Sequence, residues 1–430
     1  MNKKASEKAG EVSRRDFIKT SAAGVAVALA GSNMVFAGPA KGKKVKVALL
    51  GCGGRGTGAL NDHANAIKYL GLELEVVATA DWFRNKAVDT GKRYNVPEAR
   101  CFGGGDCYKK LLETDAEIVL TAAPPAFRPV HVEAAIKAGK HVFMEKPVAV
   151  DPPGARKIIE AGELAKQKGL SVVAGTQRRH QASYLRTAYA VQNGAIGKIV
   201  GGSIWWCGGA LWYKTKEANE SDADYMVRNW VSFAEMSGDH IVEQHVHNID
   251  IANWLIGHPP VTALGFGGRA RRKTGDQFDF FSIDLDYGSG CRIHSMCRQI
   301  NGTDGDVREF FTGTEGTIWG GGSMESPKKD MKIPNFPEQG GPYVQEHVDL
   351  LKSILDEKPI NEARNVAEST MTAIMSRISA YTGKLVRWSD LTENKTSPWY
   401  NLTLKPTADD FEKGEVVAPK DDVVPIPGKG

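Results

Sequence analysis

The sequence of 430 residues has little of what marks the more specialised classes of protein. Its six cysteines are too few for a scaffold built on disulfides. Its 55 basic and 51 acidic residues leave a formal net charge of +4, which is too small for an electrostatic nucleic-acid binder. It contains no uninterrupted apolar run of about 18 residues, so a protein with several membrane spans is excluded. What remains is a globular chain, 41% hydrophobic and 25% charged, long enough for two domains.

The N-terminus carries the pattern of an export signal. Residues 13–19 (SRRDFIK) resemble the twin-arginine signal, and a short apolar stretch follows at residues 21–30. We expect residues 1–37 to be a signal peptide that is cut after Ala37, with an uncleaved anchor or a disordered basic tail as the alternatives. The twin-arginine export machinery carries folded proteins, commonly with a cofactor inside. The sequence therefore predicts a periplasmic protein with a tightly held cofactor.

A glycine-rich fingerprint follows the first predicted strand, residues 44–50 (KVKVALL). The six residues from 51 to 56 read GCGGRG, which has the spacing G-x-G-x-x-G, and they precede a predicted helix over residues 57–70. The first glycine permits a tight turn, the second lets a pyrophosphate approach the backbone, and the third lets helix and strand pack closely. The N-terminus of the helix offers free N–H groups to phosphate oxygens. This pattern is typical of a dinucleotide-binding loop.

An acidic residue stands where such a domain binds ribose. The second predicted strand, residues 74–80 (LEVVATA), ends on Asp81. A carboxylate there accepts hydrogen bonds from the adenosine ribose and repels a 2′-phosphate, so NAD is favoured over NADP. Arg55 and Arg84 lie near enough in sequence to weaken that preference. The sequence thus predicts a Rossmann domain that binds NAD.

Strands and helices continue to alternate up to residue 174, which predicts six parallel strands in a doubly wound sheet. Ligands of such sheets lie at the carboxyl ends of the strands. The cofactor-binding residues predicted there are Gly51, Cys52, Gly53, Gly54, Arg55, Gly56, Asp81, Ala123, Pro124, Glu145, Lys146 and Gln177. We place the Rossmann domain at residues 38–175, a second domain at residues 176–390 and an extended arm at residues 391–430.

The motif AGKHVFMEKP at residues 138–147 is the most specific feature of the chain. Together with the fingerprint and a later His/Asp segment, it resembles the glucose–fructose oxidoreductase/inositol dehydrogenase (Gfo/Idh/MocA) family over residues 44–388. The resemblance implies an α/β Rossmann domain followed by an α+β domain with an open, mostly antiparallel sheet. It also implies a sugar or sugar-like substrate and a homo-oligomer, either a dimer or a tetramer.

The resemblance assigns three catalytic residues. Lys146 belongs to the EKP motif, His247 matches the catalytic histidine of the family, and Glu243 stands where an aspartate is usual. Positions 243 and 247 are expected on one face of one helix, where a carboxylate raises the pKa of a neighbouring imidazole and orients it as a base. Arg128 replaces a histidine of the family pattern, and neither Arg128 nor His131 receives a role.

Three residues are predicted to bind the substrate, and each has an alternative. Arg178 suits the polar oxygens of a sugar, or else an ion pair across the domain junction. Trp206 suits the C–H face of a sugar, or else the packing of the sheet. His245 is the third, and its alternative is a metal site formed with His240, His247, Asp239 and Glu243. Because His-x-His on a helix points its rings about 200° apart, no metal is expected.

Cysteine pairing and the arm leave alternatives open. Cys101 and Cys107 flank a Gly-Gly-Gly loop and are a candidate pair, whereas folding before export favours free, buried thiols. The arm either wraps a partner subunit or lies over its own surface.

The sequence as a whole predicts an exported oxidoreductase that moves hydride between a sugar and a retained nicotinamide cofactor. The alternatives are an NAD-dependent glycosidase or lyase that oxidises its sugar transiently, and a non-catalytic sugar-binding protein that retains NAD. Neither nucleic acid nor a membrane span is expected.

Overall fold

The computed structural model describes residues 42–421 except residue 329, together with residues 423, 425, 426 and 428. Contacts divide the chain into Met1–Gly38 and Pro39–Gly430, and every described residue belongs to the second unit. The predicted signal peptide and its cut after Ala37 therefore lie outside the described residues. Among the described residues, no helix is both long enough and apolar enough to cross a membrane.

The first layer is the predicted parallel sheet of six strands, and its strand order is β3-β2-β1-β4-β5-β6. The strands are β1 (Lys44–Leu50), β2 (Glu73–Asp81), β3 (Cys101–Gly103), β4 (Ile118–Thr121), β5 (His141–Met144) and β6 (Val172–Ala174). The strand order reverses between β1 and β4, which opens a crevice at their carboxyl ends. This is the doubly wound Rossmann arrangement.

Helices cover both faces of this sheet. In chain order they are α1 (Gly54–Tyr69), α2 (Arg84–Arg93), α3 (Cys107–Leu112), α4 (Arg128–Lys137) and α5 (Pro152–Gln167). The first helix, α1, begins at Gly54 rather than at residue 57, so the end of the fingerprint forms its first turn. It buries Leu60 and Ile67 against the sheet, and this apolar stripe fixes its packing.

The second layer is an eight-stranded sheet in the order β13-β12-β11-β7-β10-β9-β8-β14. Only β7 and β10 pair in parallel, and the other neighbours are antiparallel, so the predicted fold class is confirmed. The strands are β7 (Ile199–Gly208), β8 (Thr262–Gly268), β9 (Phe280–Asp286), β10 (Arg292–Gln299), β11 (Asp306–Gly313), β12 (Thr317–Trp319), β13 (Met324–Glu325) and β14 (Val386–Arg387).

The remaining helices connect the layers. They are α6 (Ala182–Gln192), α7 (Asp222–Arg228), α8 (Ala234–Ser237), α9 (His240–Glu243), α10 (Val246–Ile256), α11 (Pro342–Leu355), α12 (Ala363–Thr382), α13 (Trp388–Thr392) and α14 (Ala408–Lys413). The long helix α12 buries Val366 in the core of the first layer and Ile374 in the core of the second. The two layers therefore share a continuous helix.

All six cysteines are buried and none is paired. Cys101 and Cys107, the candidate pair, are both free. The arm, for its part, lies on its own chain: Phe411 of α14 is buried beside Trp82 and Phe127 of the first layer.

Candidate functional site at the carboxyl edge of the parallel sheet

The glycine-rich loop forms a cradle at the carboxyl end of β1. Gly51 has φ +95°, and a Cβ there would lie 2.4 Å from the backbone nitrogen of Ala123. A Cβ on Gly56 would lie 1.8 Å from the carbonyl oxygen of Gly51, so this position accepts glycine alone. At Gly53 and Gly54, by contrast, an added Cβ would meet nothing within 4 Å. The first N–H groups of α1 have no partner within the helix, and Gly51 and Gly53 of the preceding loop line a pocket.

Asp81 braces this loop from the end of β2. Its Oδ2 accepts a hydrogen bond from the Cys52 N–H at 2.7 Å, and its Oδ1 accepts one from the Phe83 N–H at 2.9 Å. Burial raises the pKa of the Asp81 carboxyl group, and these two backbone N–H groups oppose that rise. A carboxylate has about four acceptor positions, so two remain for a ribose.

A pocket opens beside Asp81 and is walled by aromatic rings. Its lining residues are Leu50, Gly51, Gly53, Asp81, Trp82, Lys86, Gly104, Gly105, Cys107, Ala122, Ala123, Pro124, Phe127, His131, Val227 and Trp230. Val227 and Trp230 follow the first layer in sequence and close the pocket from the opposite side. The Trp82 Nε1–H crosses to Asp224 Oδ1 at 2.7 Å and ties the two walls together.

Two of the predicted cofactor ligands bind each other. Arg55 Nε lies 2.9 Å from Glu145 Oε1, and Arg55 Nη2 lies 2.7 Å from Asp62 Oδ2. Burial raises the pKa of Glu145, and the Arg55 charge opposes that rise. This ion pair holds the first turn of α1 against the end of β5.

Unpaired polar atoms mark the rest of this edge. Gln177 Oε1, Thr121 Oγ1 and Thr176 Oγ1 are buried and have no hydrogen-bond partner among the described residues. The amide nitrogen of Gln177 donates to Tyr343 Oη at 3.3 Å. Since buried polar groups are normally satisfied, these atoms suit a polar ligand that lies across the strand ends. With the glycine cradle, they fit a dinucleotide.

Lys146 follows β5 and is paired with Glu243. Its Nζ donates to Glu243 Oε1 at 2.8 Å and also to the Glu243 carbonyl oxygen. The expected single helix is wrong, because α9 ends at Glu243 and α10 begins at Val246. A turn at residues 244–245 separates Glu243 from His247, and the carboxylate is directed to the lysine.

His247 is a buried side chain beside Trp206. Its ring stacks on Trp206 with centroids 5.6 Å apart and planes at 21°. Burial lowers the pKa of His247 well below its usual value, and the positive charges of Lys146 and Arg178 lower it further. The expectation that Glu243 raises this pKa is therefore wrong, since the nearby charges are positive.

Arg178 and its neighbour both form ion pairs. Arg178 Nη1 binds Glu309 Oε1, and its guanidinium lies 5.8 Å from the centroid of the Trp206 ring. Arg179 makes a bidentate pair with Asp250 at 2.8 and 2.9 Å. The ion-pair alternative is thus what the structure shows for Arg178, although its guanidinium still lies beside Trp206.

The other histidines of this segment have separate partners. His245 is fully buried, and its Nε2 lies 2.8 Å from Ser295 Oγ, so its placement gives no support to a substrate contact. His240 Nδ1 lies 3.2 Å from Asp239 Oδ1. Within the described ranges, no three or more His, Cys, Asp or Glu side chains cluster as metal ligands would.

Arg128, to which sequence reasoning gave no role, joins two of the strand ends. It is 2% exposed and donates to the carbonyl oxygens of Ala123, after β4, and Pro147, after β5. Burial lowers the pKa of Arg128 to about 10. The sequence signal was its place at the histidine position of the family pattern. Nothing local indicated that its partners would be backbone carbonyls.

Sequence comparisons agree with this geometry. Residues 45–176 match the oxidoreductase family with an NAD-binding Rossmann fold (GFO_IDH_MocA), and residues 184–319 match the C-terminal domain of that family. Residues 11–31 match the twin-arginine translocation signal. Similar curated proteins include the inositol 2-dehydrogenases of Agrobacterium fabrum (32% identical over 48% of this chain and 54% of that protein) and Acidothermus cellulolyticus (27% identical over 54% and 60%). The chain thus spans little more than half the length of these relatives.

Solved structures share the fold at low identity. GenD2 from gentamicin A biosynthesis, in complex with NAD, is 17% identical, has a TM-score of 0.63 and covers 83% of this chain and 99% of its own. Levoglucosan dehydrogenase with NADH and levoglucosan is 16% identical, has a TM-score of 0.63 and covers 80% and 99%. The aldose–aldose oxidoreductase of Caulobacter crescentus is 18% identical, has a TM-score of 0.60 and covers 80% and 100%.

The family match spans both layers of the fold, and it includes the EKP lysine, the glycine cradle and strands β7 to β12 of the mixed sheet. The chain belongs to the Gfo/Idh/MocA oxidoreductase family and carries a twin-arginine export signal.

Proposed function

We propose that the protein is an exported, periplasmic oxidoreductase that oxidises a sugar or sugar-like alcohol and keeps its nicotinamide cofactor bound. The observation that carries the proposal is the Lys146–Glu243 pair near the buried His247–Trp206 stack, on the same sheet edge as the glycine cradle. When bound, a nicotinamide dinucleotide supplies a two-electron acceptor for the hydride of a carbinol. Retention makes sense outside the cytoplasm, where no soluble pool of this cofactor exists.

The lysine is placed to bind the reacting oxygen. An ammonium group has three N–H donors, and Glu243 occupies two of those of Lys146. The third donor is left for the hydroxyl of the substrate. A fixed positive charge at that point stabilises the negative charge that develops on the oxygen as the alcohol becomes a carbonyl. Glu243 holds the ammonium in position.

His247 is placed to accept the hydroxyl proton. Burial and the nearby positive charges lower the pKa of His247, which favours the neutral ring with its free nitrogen lone pair. The positive charges that keep it neutral also ease ionisation of a nearby hydroxyl group. Trp206, stacked on the ring, holds its orientation and offers an aromatic face to sugar C–H groups.

Residues of the first layer would hold the cofactor. The N–H groups at Gly53 and Gly54 suit the pyrophosphate, and Asp81 suits the adenosine ribose. Gln177, with its unpaired Oε1, suits the polar carboxamide end. The carboxylate of Asp81 disfavours a 2′-phosphate, which supports NAD over NADP.

The relatives support the class of substrate. The inositol dehydrogenases act on a cyclic polyol, and the levoglucosan and aldose enzymes act on sugars. The aldose–aldose oxidoreductase is named for two sugar substrates, and such a pair lets one cofactor be reduced and reoxidised without leaving its site.

The test is the absorbance of the purified protein during titration with sugars. We expect nucleotide to copurify, one sugar to produce the near-ultraviolet band of reduced nicotinamide, and a second sugar or ketone to remove that band. Protein that carries no nucleotide and binds no NAD would overturn the proposal. Cleavage of a glycoside with no net change in cofactor would instead establish the glycosidase or lyase alternative.

A further inference from the structure

We propose that residues 407–421, here named the strap, retain the adenosine half of the bound dinucleotide. The strap includes α14, and it crosses the aromatic pocket beside Asp81 from outside. The inference rests on the proposed function, since it requires a dinucleotide that the protein keeps. It assigns this retention to a segment outside the matched family regions, which end at residue 319.

The strap supports the two rings that wall the pocket. Phe411 is 3% exposed, and its ring lies edge-on to Trp82 at 5.6 Å and to Phe127 at 5.1 Å between centroids. Trp82 and Phe127 both line the pocket and are nearly parallel, with planes at 9°. Edge-to-face contacts of this kind are among the favourable arrangements of aromatic rings. Phe411 is therefore a positioning residue for the walls.

One end of the strap is fastened to the first layer. Glu412 accepts a hydrogen bond from Tyr108 Oη at 3.0 Å and pairs with Lys109 Nζ at 2.5 Å. Its helix is held by a capping box, in which Thr407 Oγ1 accepts from the Asp410 N–H and Asp410 Oδ2 accepts from the Thr407 N–H. The short helix thus presents Phe411 to Trp82 and Phe127, the rings that line the pocket.

The other end is fastened to the second layer. Asp421 Oδ2 accepts from Tyr225 Oη at 2.9 Å, and Asp421 Oδ1 accepts from the Gly275 N–H at 2.6 Å. The Ala418 N–H donates to Asp222 Oδ2 at 2.9 Å. Asp222 and Tyr225 lie on α7, whose Val227 lines the pocket. The strap therefore bridges both walls and opposes their separation.

The chemistry of the enclosed pocket suits adenosine. Flat aromatic walls stack on a purine, and Asp81 at the edge of the pocket suits the ribose hydroxyls. His131, 7% exposed, also lines the pocket, and its Nδ1 has no hydrogen-bond partner among the described residues. A nucleobase that enters this pocket leaves by parting the two walls, and the strap slows that motion.

The experiment compares nucleotide release from wild-type protein, Phe411→Ala and Val417→Ala. Val417 lies on the strap but is 77% exposed, so it is the matched control. Release is followed by the fluorescence of bound NADH after addition of excess NAD. Affinities for ADP-ribose and for nicotinamide mononucleotide are measured separately. We expect Phe411→Ala to release NADH at least tenfold faster and to weaken ADP-ribose binding similarly, with mononucleotide binding unchanged.

Several outcomes would contradict the proposal that the strap retains the dinucleotide. One is release from Phe411→Ala at the wild-type rate, and another is an equal loss of ADP-ribose and mononucleotide binding, which indicates general damage. Should Phe411→Ala fail to fold, Glu412→Gln carries the test, with about threefold faster release expected and the wild-type rate contradicting the proposal. Wild-type protein that binds no NAD defeats the proposed function itself. Wild-type protein that binds NAD, with the variants releasing it no faster, defeats only the strap.

Discussion

The two ends of the cleft are held together by different kinds of contact. At the adenosine end, Trp82, Phe127 and Phe411 meet through apolar rings. At the reacting end, Lys146 and Glu243 meet through charge-assisted hydrogen bonds. Apolar contact is strong but has little direction, whereas hydrogen bonds fix atoms in place. The proposed functions of holding the cofactor and reacting with the substrate thus fall on separate groups of residues, so each can be altered alone.

We expect the largest loss of activity from a substitution at the reacting end. Lys146→Ala removes the donor to the substrate oxygen, and we expect reduction of the bound nicotinamide to slow by roughly 10²–10³-fold. Nucleotide content should stay at the wild-type level, because the adenosine end is untouched. Single-turnover absorbance and nucleotide analysis measure the two quantities. The control is Lys137→Ala, which changes an exposed lysine on α4. If Lys146→Ala lost bound nucleotide to the same extent as it lost activity, the two ends of the cleft would not act separately.

The next largest effect is a loss of NAD affinity from a substitution in the glycine cradle. Gly53→Ala places a methyl group where the protein has no atom within 4 Å, so only a ligand can meet it. We expect the affinity for NAD to fall by at least a factor of about 10, with no loss of thermal stability. Calorimetry and thermal unfolding measure the two quantities. Gly208→Ala, equally open but on β7, should change neither, and unchanged NAD affinity in Gly53→Ala would refute the cradle.

A smaller effect concerns acid stability. Burial, followed by the Arg128 charge, lowers the pKa of His131 to about 3 in the folded protein. Below about pH 6.5, the pKa of this histidine in the unfolded chain, the unfolded chain binds a proton that the folded chain does not bind. The free energy of unfolding therefore falls as the pH falls. At about pH 5.5 this lowers the free energy of unfolding by about 1.4 kcal/mol, and His131→Phe should abolish that loss. Denaturant unfolding at about pH 7.5 and 5.5 measures it, and an equal effect at both would contradict the assignment.

The smallest effect that we expect is on the release of NADH from the adenosine end. Asp224→Ala removes the acceptor of the Trp82 Nε1–H, a hydrogen bond worth about 1 kcal/mol. We expect bound NADH to leave about fivefold faster, which corresponds to that energy. Asp224→Asn keeps an acceptor oxygen and should release NADH at nearly the wild-type rate. Equal rates in both variants would mean that this bond across the cleft does not govern release.

Local sequence determined much of the first layer. The strand–fingerprint–helix run and Asp81 were predictable, because the cradle depends on neighbours in sequence and on Gly51 and Gly56, where a side chain does not fit. The catalytic residues were placed through the resemblance, and the structure brings Lys146, Glu243 and His247 into one region. Their roles remain predictions.

Tertiary contacts account for what the sequence did not predict. The glycines of β8 weaken its strand pattern in the sequence, yet a Cβ at Gly265 would lie 2.5 Å from the Ser282 carbonyl oxygen of β9. The turn between α9 and α10 directs Glu243 to a lysine 97 positions away. The strap bonds Glu412 to Tyr108 across 304 positions. No window of local sequence contains such pairs.

The six buried thiols bear on the fate of the protein after export. Burial raises the pKa of Cys107 to about 12, so the native fold suppresses its reactive thiolate. Opening of the chain restores an ordinary thiol pKa and with it the reactive form. In an oxidising compartment, an opened chain is exposed to disulfide formation, whereas the native fold contains no disulfide among its six cysteines. For a protein exported to such a compartment, as proposed, the rate of opening limits the working lifetime along with equilibrium stability.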